Sequence, residues 1–246
     1  MSGSCEEVVT YSSAAVPASP LADRRIERFS PRLVVAQFLG LAGVVLYNWW
    51  LWVIVATNLL TSTYAFFSDL EATGRPDASL FQHFDLAAGI ITFVALVVRG
   101  PWGPDGRRVE WRWLLLFAAA GAVGGHFAYA CPEGLSSACR SAEWHLLLPP
   151  RHYLHVFSGI IEFAAMTIAV SLAWMRTREH RDWVARTVKG IAIAMTIGYP
   201  LLGVAYLTDR YGAFVEPIFF ICFSIMVTTE LVEPRRVNVG ADAAIN

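Results

Sequence analysis

Residues 33–57 read LVVAQFLGLAGVVLYNWWLWVIVAT and contain no charged side chain. A helix that crosses a membrane needs about 20 consecutive, mostly apolar residues, so this stretch predicts a membrane-spanning helix. The uncharged run continues to Ser68, which is too long for one straight span. Its last part, from about Asn58, is therefore predicted to lie along the outer membrane surface or to fold back into the protein.

The rest of the chain has the composition of a membrane protein. Of its 246 residues, 56% are hydrophobic and only 16% are charged, whereas soluble domains carry roughly 25% charged residues. The six predicted spans are residues 33–57, 81–99, 112–130, 153–175, 187–208 and 213–232. We predict an all-α membrane bundle of about six helices over residues 32–233, with flexible cytoplasmic tails at residues 1–31 and 234–246.

The loop cations give these helices a direction. Lys and Arg are enriched in cytoplasmic loops, and 15 of the 19 Lys and Arg residues lie in or beside the two tails, the loop between spans two and three, and the loop between spans four and five. The opposite loops keep only Arg75, Arg140, Arg151 and Arg210. This asymmetry predicts a multi-pass protein of the bacterial inner membrane with both termini in the cytoplasm. The net charge of −1 indicates no nucleic acid partner.

Two further patterns bear on packing in the membrane. Most tryptophans lie near predicted span ends, where they are interpreted as anchors at the lipid headgroups. They are Trp49, Trp50, Trp52, Trp111, Trp113, Trp174 and Trp183. Gly121 and Gly125 stand four residues apart in span three, a spacing that favours close contact between helices.

Two cysteines lie in a Pro- and Gly-containing outer loop, CPEGLSSAC, as Cys131 and Cys139. Outside the cytoplasm, cysteines at this spacing form disulfides readily, and we predict a bridge between them. Two free thiols are the alternative. A metal-binding pair is favoured less, because zinc-binding cysteine pairs have shorter spacings.

Polar side chains collect on the predicted outer side. They are the histidines His83, His126, His145, His152 and His155, and the carboxylates Asp69, Asp85, Asp209 and Glu216. His152, His155 and Glu162 follow a spacing of three and then seven residues, which puts them on one face of span four. A carboxyl group at the depth of Glu162 is costly in lipid, so this face should point into the protein, with Glu162 protonated or paired. Histidines at helix ends also cap carbonyls or lie among headgroups, and that alternative stays open.

This cluster favours a polar site that opens outward. One hypothesis is a metal-dependent hydrolase, most plausibly with zinc, acting on a lipid or lipid-like substrate at the outer face. Its predicted metal ligands are His126, His152 and His155, with His83 or Asp85 as alternates. Asp69, Asp85 or Glu162 would orient a ligand or act as general base. The alternatives are a non-catalytic protein that binds or transports a lipid or small ligand, and an accessory membrane subunit of undetermined oligomeric state.

Two stretches resemble a known family. They are SDLEATGRPDASLFQHFDLAAGI, residues 68–90, and CPEGLSSACRSAEWHLLLPPRHYLHVFSG, residues 131–159. Both are similar to a bacterial, often actinobacterial, membrane family catalogued as a domain of unknown function, number 998, and the resemblance extends over residues 33–232. The family pattern falls on Ser68, Leu80, Phe81, Asp85, Cys131, Cys139, Arg140 and His155. The resemblance implies a fold and topology but no activity.

The chain is more distantly similar to membrane hydrolases of the alkaline-ceramidase and adiponectin-receptor type. Those enzymes place a serine, an aspartate and three histidines around zinc. The resemblance implies the corresponding roles for Ser68, Asp85, His126, His152 and His155. With Asp69 and Glu162, Ser68 and Asp85 complete the predicted catalytic set.

Overall fold

The structure is a computed structural model, and it describes residues 31–51, 66–101, 109–179, 182–208, 210 and 212–232. Over these residues the chain forms seven α-helices, two short 3₁₀ helices and no strand. The α-helices are α1 (Pro31–Tyr47), α2 (Ala78–Arg99), α3 (Val109–His126), α4 (Ser137–Trp144), α5 (Pro150–Thr177), α6 (Trp183–Thr208) and α7 (Gly212–Val232). The 3₁₀ helices are Phe67–Glu71 and Glu133–Leu135. The predicted all-α class is confirmed.

The six long helices form a closed ring. Each packs along the next in the order α1, α2, α3, α5, α6 and α7, and α7 packs back against α1. The start of α1 meets the end of α7, where Gln37 Nε2 donates to the Leu231 carbonyl at 3.1 Å. The start of α3 meets the end of α2, where Trp111 Nε1 donates to the Leu96 carbonyl at 2.9 Å. Successive long helices therefore run in alternate directions.

Each long helix overlaps one of the six segments predicted as spans, although α1 ends at Tyr47, before the predicted end of span one at residue 57. By length and composition α2, α5 and α6 can cross a membrane, and α1 and Phe214–Thr229 of α7 are shorter apolar helices. Helix α2 begins at Ala78, three residues before the predicted start of span two at residue 81, so His83 lies in its second turn. The tail residues 1–30 and 233–246, and the predicted surface segment from Asn58, lie outside the described residues.

The outer surface of the ring is apolar. Phe38 of α1, Phe157 of α5, Ile197 of α6 and Phe214 of α7 are each at least 58% exposed. A soluble monomer rarely exposes large contiguous apolar patches. The surface of this bundle is consistent with a membrane protein, as the three long apolar helices are.

Helices α2 and α3 pack at very close range through glycines. A Cβ atom added at Gly125 would lie 2.4 Å from the backbone nitrogen of Leu86, and one added at Gly89 would lie 2.4 Å from that of Ala122. The close packing predicted for Gly125 is thus confirmed. Gly121 has a different role, because it faces the carboxyl group of Glu162 on α5.

The predicted tryptophan anchors differ in exposure: Trp111 and Trp113 are half-buried, and Trp52 lies outside the described residues. Trp174 and Trp183 are exposed, as anchors in the headgroup region should be. The same interpretation is wrong for Trp49 and Trp50, which are each 4% exposed. They follow α1 and turn inward, and Trp49 stacks on Phe81 of α2 with 4.2 Å between ring centroids. Large rings bury more apolar area in the core than at a headgroup boundary.

Cys131 and Cys139 form the predicted disulfide, with their Cα atoms 6.0 Å apart. The bridge joins the segment after α3 to the first turn of α4. Ser136 caps that turn, since its Oγ accepts a hydrogen bond from the Cys139 backbone at 3.3 Å. We call this end of the ring the disulfide end.

Candidate functional site

A cavity of about 480 Å³ lies inside the helix ring, in the half nearer the disulfide end. We call it the chamber. Its wall takes residues from all six long helices and both 3₁₀ helices: Tyr47, Phe67, Ser68, Glu71, Asp85, Gly121, Glu133, His155, Glu162, Tyr206 and Glu216 are among them. The opposite half of the ring is packed instead with fully buried apolar side chains such as Phe223, Met195 and Met226. The chamber is therefore closed toward that end.

Four carboxyl groups converge on the chamber from four elements of the fold, and we call them the acidic cluster. They are Glu71, Asp85, Glu162 and Glu216. The three glutamates are at most 8% exposed. No Lys or Arg is among the described residues that line the chamber, and the undescribed residues 52–65 contain no charged residue of either sign. The described wall therefore offers the acidic cluster no Lys or Arg side chain as a partner.

Neutral donors hold two members of the acidic cluster in place. Trp49 Nε1 donates to Asp85 Oδ1 at 2.6 Å, and the Tyr47 hydroxyl donates to Glu162 Oε1. Glu162 is therefore paired inside the protein, as the spacing of its helix face predicts. Uncharged donors orient a carboxylate but do not cancel its charge.

Glu71 and Glu216 complete the acidic cluster. The backbone N–H of Phe67 donates to Glu216 Oε2. Glu71 and Asp85 face the same chamber from the 3₁₀ helix Phe67–Glu71 and from α2. Burial raises the pKa of Glu71 well above its ordinary value, and the negative charge of Asp85 raises it further. Glu71 Oε2 is buried and has no hydrogen-bond partner.

A charged layer closes the chamber at the disulfide end. Arg140 of α4 pairs with Glu133 at 3.1 Å, donates to the Tyr206 carbonyl and lies 5.2 Å from the Tyr206 ring centroid. The Tyr206 hydroxyl donates to Glu143, whose Oε1 lies 3.7 Å from His152 Nε2. This layer ties α4 to α5 and α6 and compensates Glu133, the fifth carboxylate of the wall.

The predicted metal ligands lie in different environments. His83 and His126 are exposed, whereas His152 is fully buried. His155 is half-buried in the chamber wall, and its Nδ1 lies 3.0 Å from the Gly124 carbonyl. In the part of the chain that the structure describes, no three His, Cys, Asp or Glu side chains form a group that could hold a metal ion. The arrangement thus offers no ready ligand set, and zinc stays a prediction.

The predicted catalytic residues also separate. Ser68, Asp85 and Glu162 line the chamber. Asp69 is fully buried behind the wall, where its carboxylate accepts from the backbone nitrogens of Phe66 at 2.9 Å and Gly134 at 3.3 Å. Asp69 therefore joins the two 3₁₀ helices.

The chamber reaches the outer surface of the ring between α5 and α6, at an opening that we call the mouth. Ile160 of α5 and Leu207 of α6 line the chamber and are 48% and 63% exposed. Pro200 and Gly203 of α6 line it too and are exposed. Because this rim is apolar, a ligand dissolved in a bilayer could enter from the side.

Several site residues were not found from the sequence. Glu71 lies in the same SDLE stretch as Ser68 and Asp69, yet its spacing from α2 gives no sign that it meets Asp85. Tyr47 is a polar-tipped residue in an otherwise apolar span, which is a usable signal. Glu143 and Tyr206 are far apart in sequence, and only the folded ring brings them together.

Comparison with known proteins places the chain in a family. No curated protein and no solved structure gives a significant match. The model of a family described as a protein of unknown function, DUF998, matches residues 41–232. That match begins within α1 and ends at the last residue of α7, so it takes in the whole chamber. The chain therefore belongs to the DUF998 family.

Proposed function

We propose that this protein binds or carries a membrane-dissolved ligand, a lipid or lipid-like small molecule, in the chamber without chemical change. The observation that carries the proposal is a chamber inside a bundle with an apolar outer surface, open through the mouth between α5 and α6. Ligand sites are mostly apolar cavities of roughly 300–1,000 Å³ with a few convergent polar groups. The chamber has that size and that lining.

We propose six spans, with both termini in the cytoplasm of a bacterial cell and the chamber in the outer half of the inner membrane. The alternating directions of the six long helices support this topology. The loop cations support it as well, because Arg112, Arg176, Arg186 and Lys189 lie near helix ends remote from the disulfide. The disulfide then lies on the oxidising side.

Closing the mouth should strongly reduce labelling of the chamber. A Cβ added at Gly203 meets no atom within 4 Å, so Gly203→Leu fills the mouth without disturbing the helices. The probes are dodecyl chains with a photoactivated diazirine on a carbon close to the head, one with a trimethylammonium head and one with an uncharged maltoside head. In wild-type protein we expect adducts on chamber-lining peptides from at least one probe. In Gly203→Leu we expect labelling to fall about tenfold, as for a contact worth about 1.4 kcal/mol.

Gly190→Leu is the matched control for this experiment. Gly190 is on the same helix with equally open space around its Cβ position, but it does not line the chamber. Equal labelling of the two variants, or no adduct on chamber peptides from either probe, would contradict the proposed binding function.

A zinc-dependent hydrolase is the second candidate function. It is favoured by one observation: Ser68 and His155 share the chamber wall with Asp85 and Glu162, which gathers a hydroxyl, an imidazole and two carboxyl groups. Metal analysis of the purified chain tests it. Stoichiometric zinc that is lost in His155→Ala would support the hydrolase. Metal-free protein whose melting temperature does not change when a chelator is added would count against it.

A further inference from the structure

We propose that the ligand of the chamber is a cationic amphiphile, with an ammonium-type head at the acidic cluster and an apolar chain that extends through the mouth. This inference rests on the proposed binding function and adds the charge class of the ligand. It is carried by the one-sided charge of the wall, by an unpartnered buried carboxyl oxygen, and by the apolar rim of the mouth.

The first step is the charge of the wall. The acidic cluster has four carboxyl groups, no Lys or Arg is among the described residues that line the chamber, and His155 is the one basic residue there. Its Nδ1 is directed at the Gly124 carbonyl and the Phe127 carbonyl, at 3.0 and 3.1 Å. An anionic head would be repelled by each of these carboxyl groups that is ionised. A cation would lower the cost of keeping them charged in a buried site.

The second step is the unpartnered oxygen. Glu71 is 2% exposed, lines the chamber, and has no hydrogen-bond partner for Oε2. A buried acceptor without a donor is destabilising. A head that carries N–H groups would satisfy this oxygen, and a quaternary head would compensate its charge.

The third step is the aromatic lining beside Glu71 and Asp85, which face the same chamber. The rings of Tyr47, Trp49 and Phe220 line the same chamber, and aromatic faces attract alkylammonium groups.

The fourth step is the route of entry. The mouth opens on the apolar outer surface between α5 and α6, with Ile160 and Leu207 on its rim. A bare inorganic cation is strongly disfavoured in hydrocarbon, whereas each CH₂ group of an amphiphile's chain is stabilised there. The mouth therefore favours an amphiphile over a metal ion.

Three diazirine probes with the same dodecyl chain test the charge class: one with a trimethylammonium head, one with maltoside and one with sulfate. They are photolysed with the purified full-length chain in lipid nanodiscs. We expect the trimethylammonium probe to label chamber peptides about tenfold more than the maltoside probe, and the sulfate probe to label least. Equal labelling by all three heads, or preference for sulfate, would overturn the cationic assignment and leave the proposed binding function standing. Absence of chamber adducts from every probe would overturn both.

The pair formed by Glu71 and Asp85 is tested with the isosteric variants Glu71→Gln and Glu71→Gln/Asp85→Asn. In the double variant we expect the ratio of trimethylammonium to maltoside labelling to fall close to one. The single variant keeps Asp85 and should show an intermediate ratio. Glu179→Gln, an exposed site beyond the end of α5, is the control and should keep the wild-type ratio. A wild-type ratio in the double variant would refute the role of the pair.

Discussion

Gly125→Val should prevent the protein from folding. The added Cβ would lie 2.4 Å from the Leu86 nitrogen and 2.9 Å from the Asp85 carbonyl carbon, and backbone atoms cannot move aside as a flexible side chain can. Helices α2 and α3 would have to separate along the contact that also holds Asp85 in the chamber wall. Overpacking of this kind costs roughly 3 kcal/mol or more, a large part of the stability of an ordinary domain.

The measurement is the yield of monodisperse protein on size-exclusion chromatography and its melting temperature. Gly190→Val is the matched control, since it puts the same β-branched residue into a helix where a Cβ meets no atom within 4 Å. Equal yields and equal melting temperatures for the two variants would contradict the close contact between α2 and α3.

Raising the pH should destabilise the wild-type protein through Glu71. Burial raises the pKa of this carboxyl group in the folded protein, and the neighbouring carboxylates Asp85 of α2, Glu162 of α5 and Glu216 of α7 raise it further. An acidic group whose pKa is higher in the folded protein than in the unfolded chain makes its full contribution to stability at pH values below the unfolded pKa. That stability is lost as pH rises through the folded pKa, because the unfolded chain releases the proton more easily.

We therefore expect the melting temperature of the wild-type protein to fall by roughly 5 °C between pH 6 and pH 9. Glu71→Gln keeps the shape and hydrogen-bonding capacity of the group but cannot ionise, so its melting temperature should change less over this range. At pH 9 the variant should be the more stable of the two. Glu179→Gln, at an exposed position, should follow the wild-type curve, and parallel curves for Glu71→Gln and wild type would contradict the burial of a charge-sensitive Glu71.

The sequence predicted the helical class and the positions of the long helices well, for a physical reason. A helix in lipid must satisfy its backbone hydrogen bonds internally and present apolar side chains for about 20 residues. A continuous stretch of sequence is therefore enough to recognise it. The Cys131–Cys139 disulfide could also be predicted from the sequence, because two cysteines eight positions apart in one loop are close in space. The inward face of His152 and Glu162 followed from helical spacing alone.

Prediction of the candidate site was less complete. The sequence pointed to Asp85, His155 and Glu162, which do line the chamber. It gathered His83 and His126 into the same set, although both side chains are exposed. Spacing along one helix says which residues share a face, but it does not say which face of the neighbouring helix they meet. That choice depends on how the ring closes.

By itself, then, the sequence determined which segments are helical, where the cations lie, and that two cysteines of one loop form a bridge, because each of these depends on short-range composition and spacing. The tertiary structure alone decided that Tyr47 meets Glu162, that Glu71 and Asp85 share the chamber wall, and that Trp49 turns inward to Asp85. Tyr47 and Glu162 are 115 positions apart in the sequence, and Trp49 and Asp85 are 36 apart, so no local pattern could pair them. Glycine contacts between helices fix the register that brings them together. The physical reason is that packing between helices, rather than propensity within them, sets which polar groups converge.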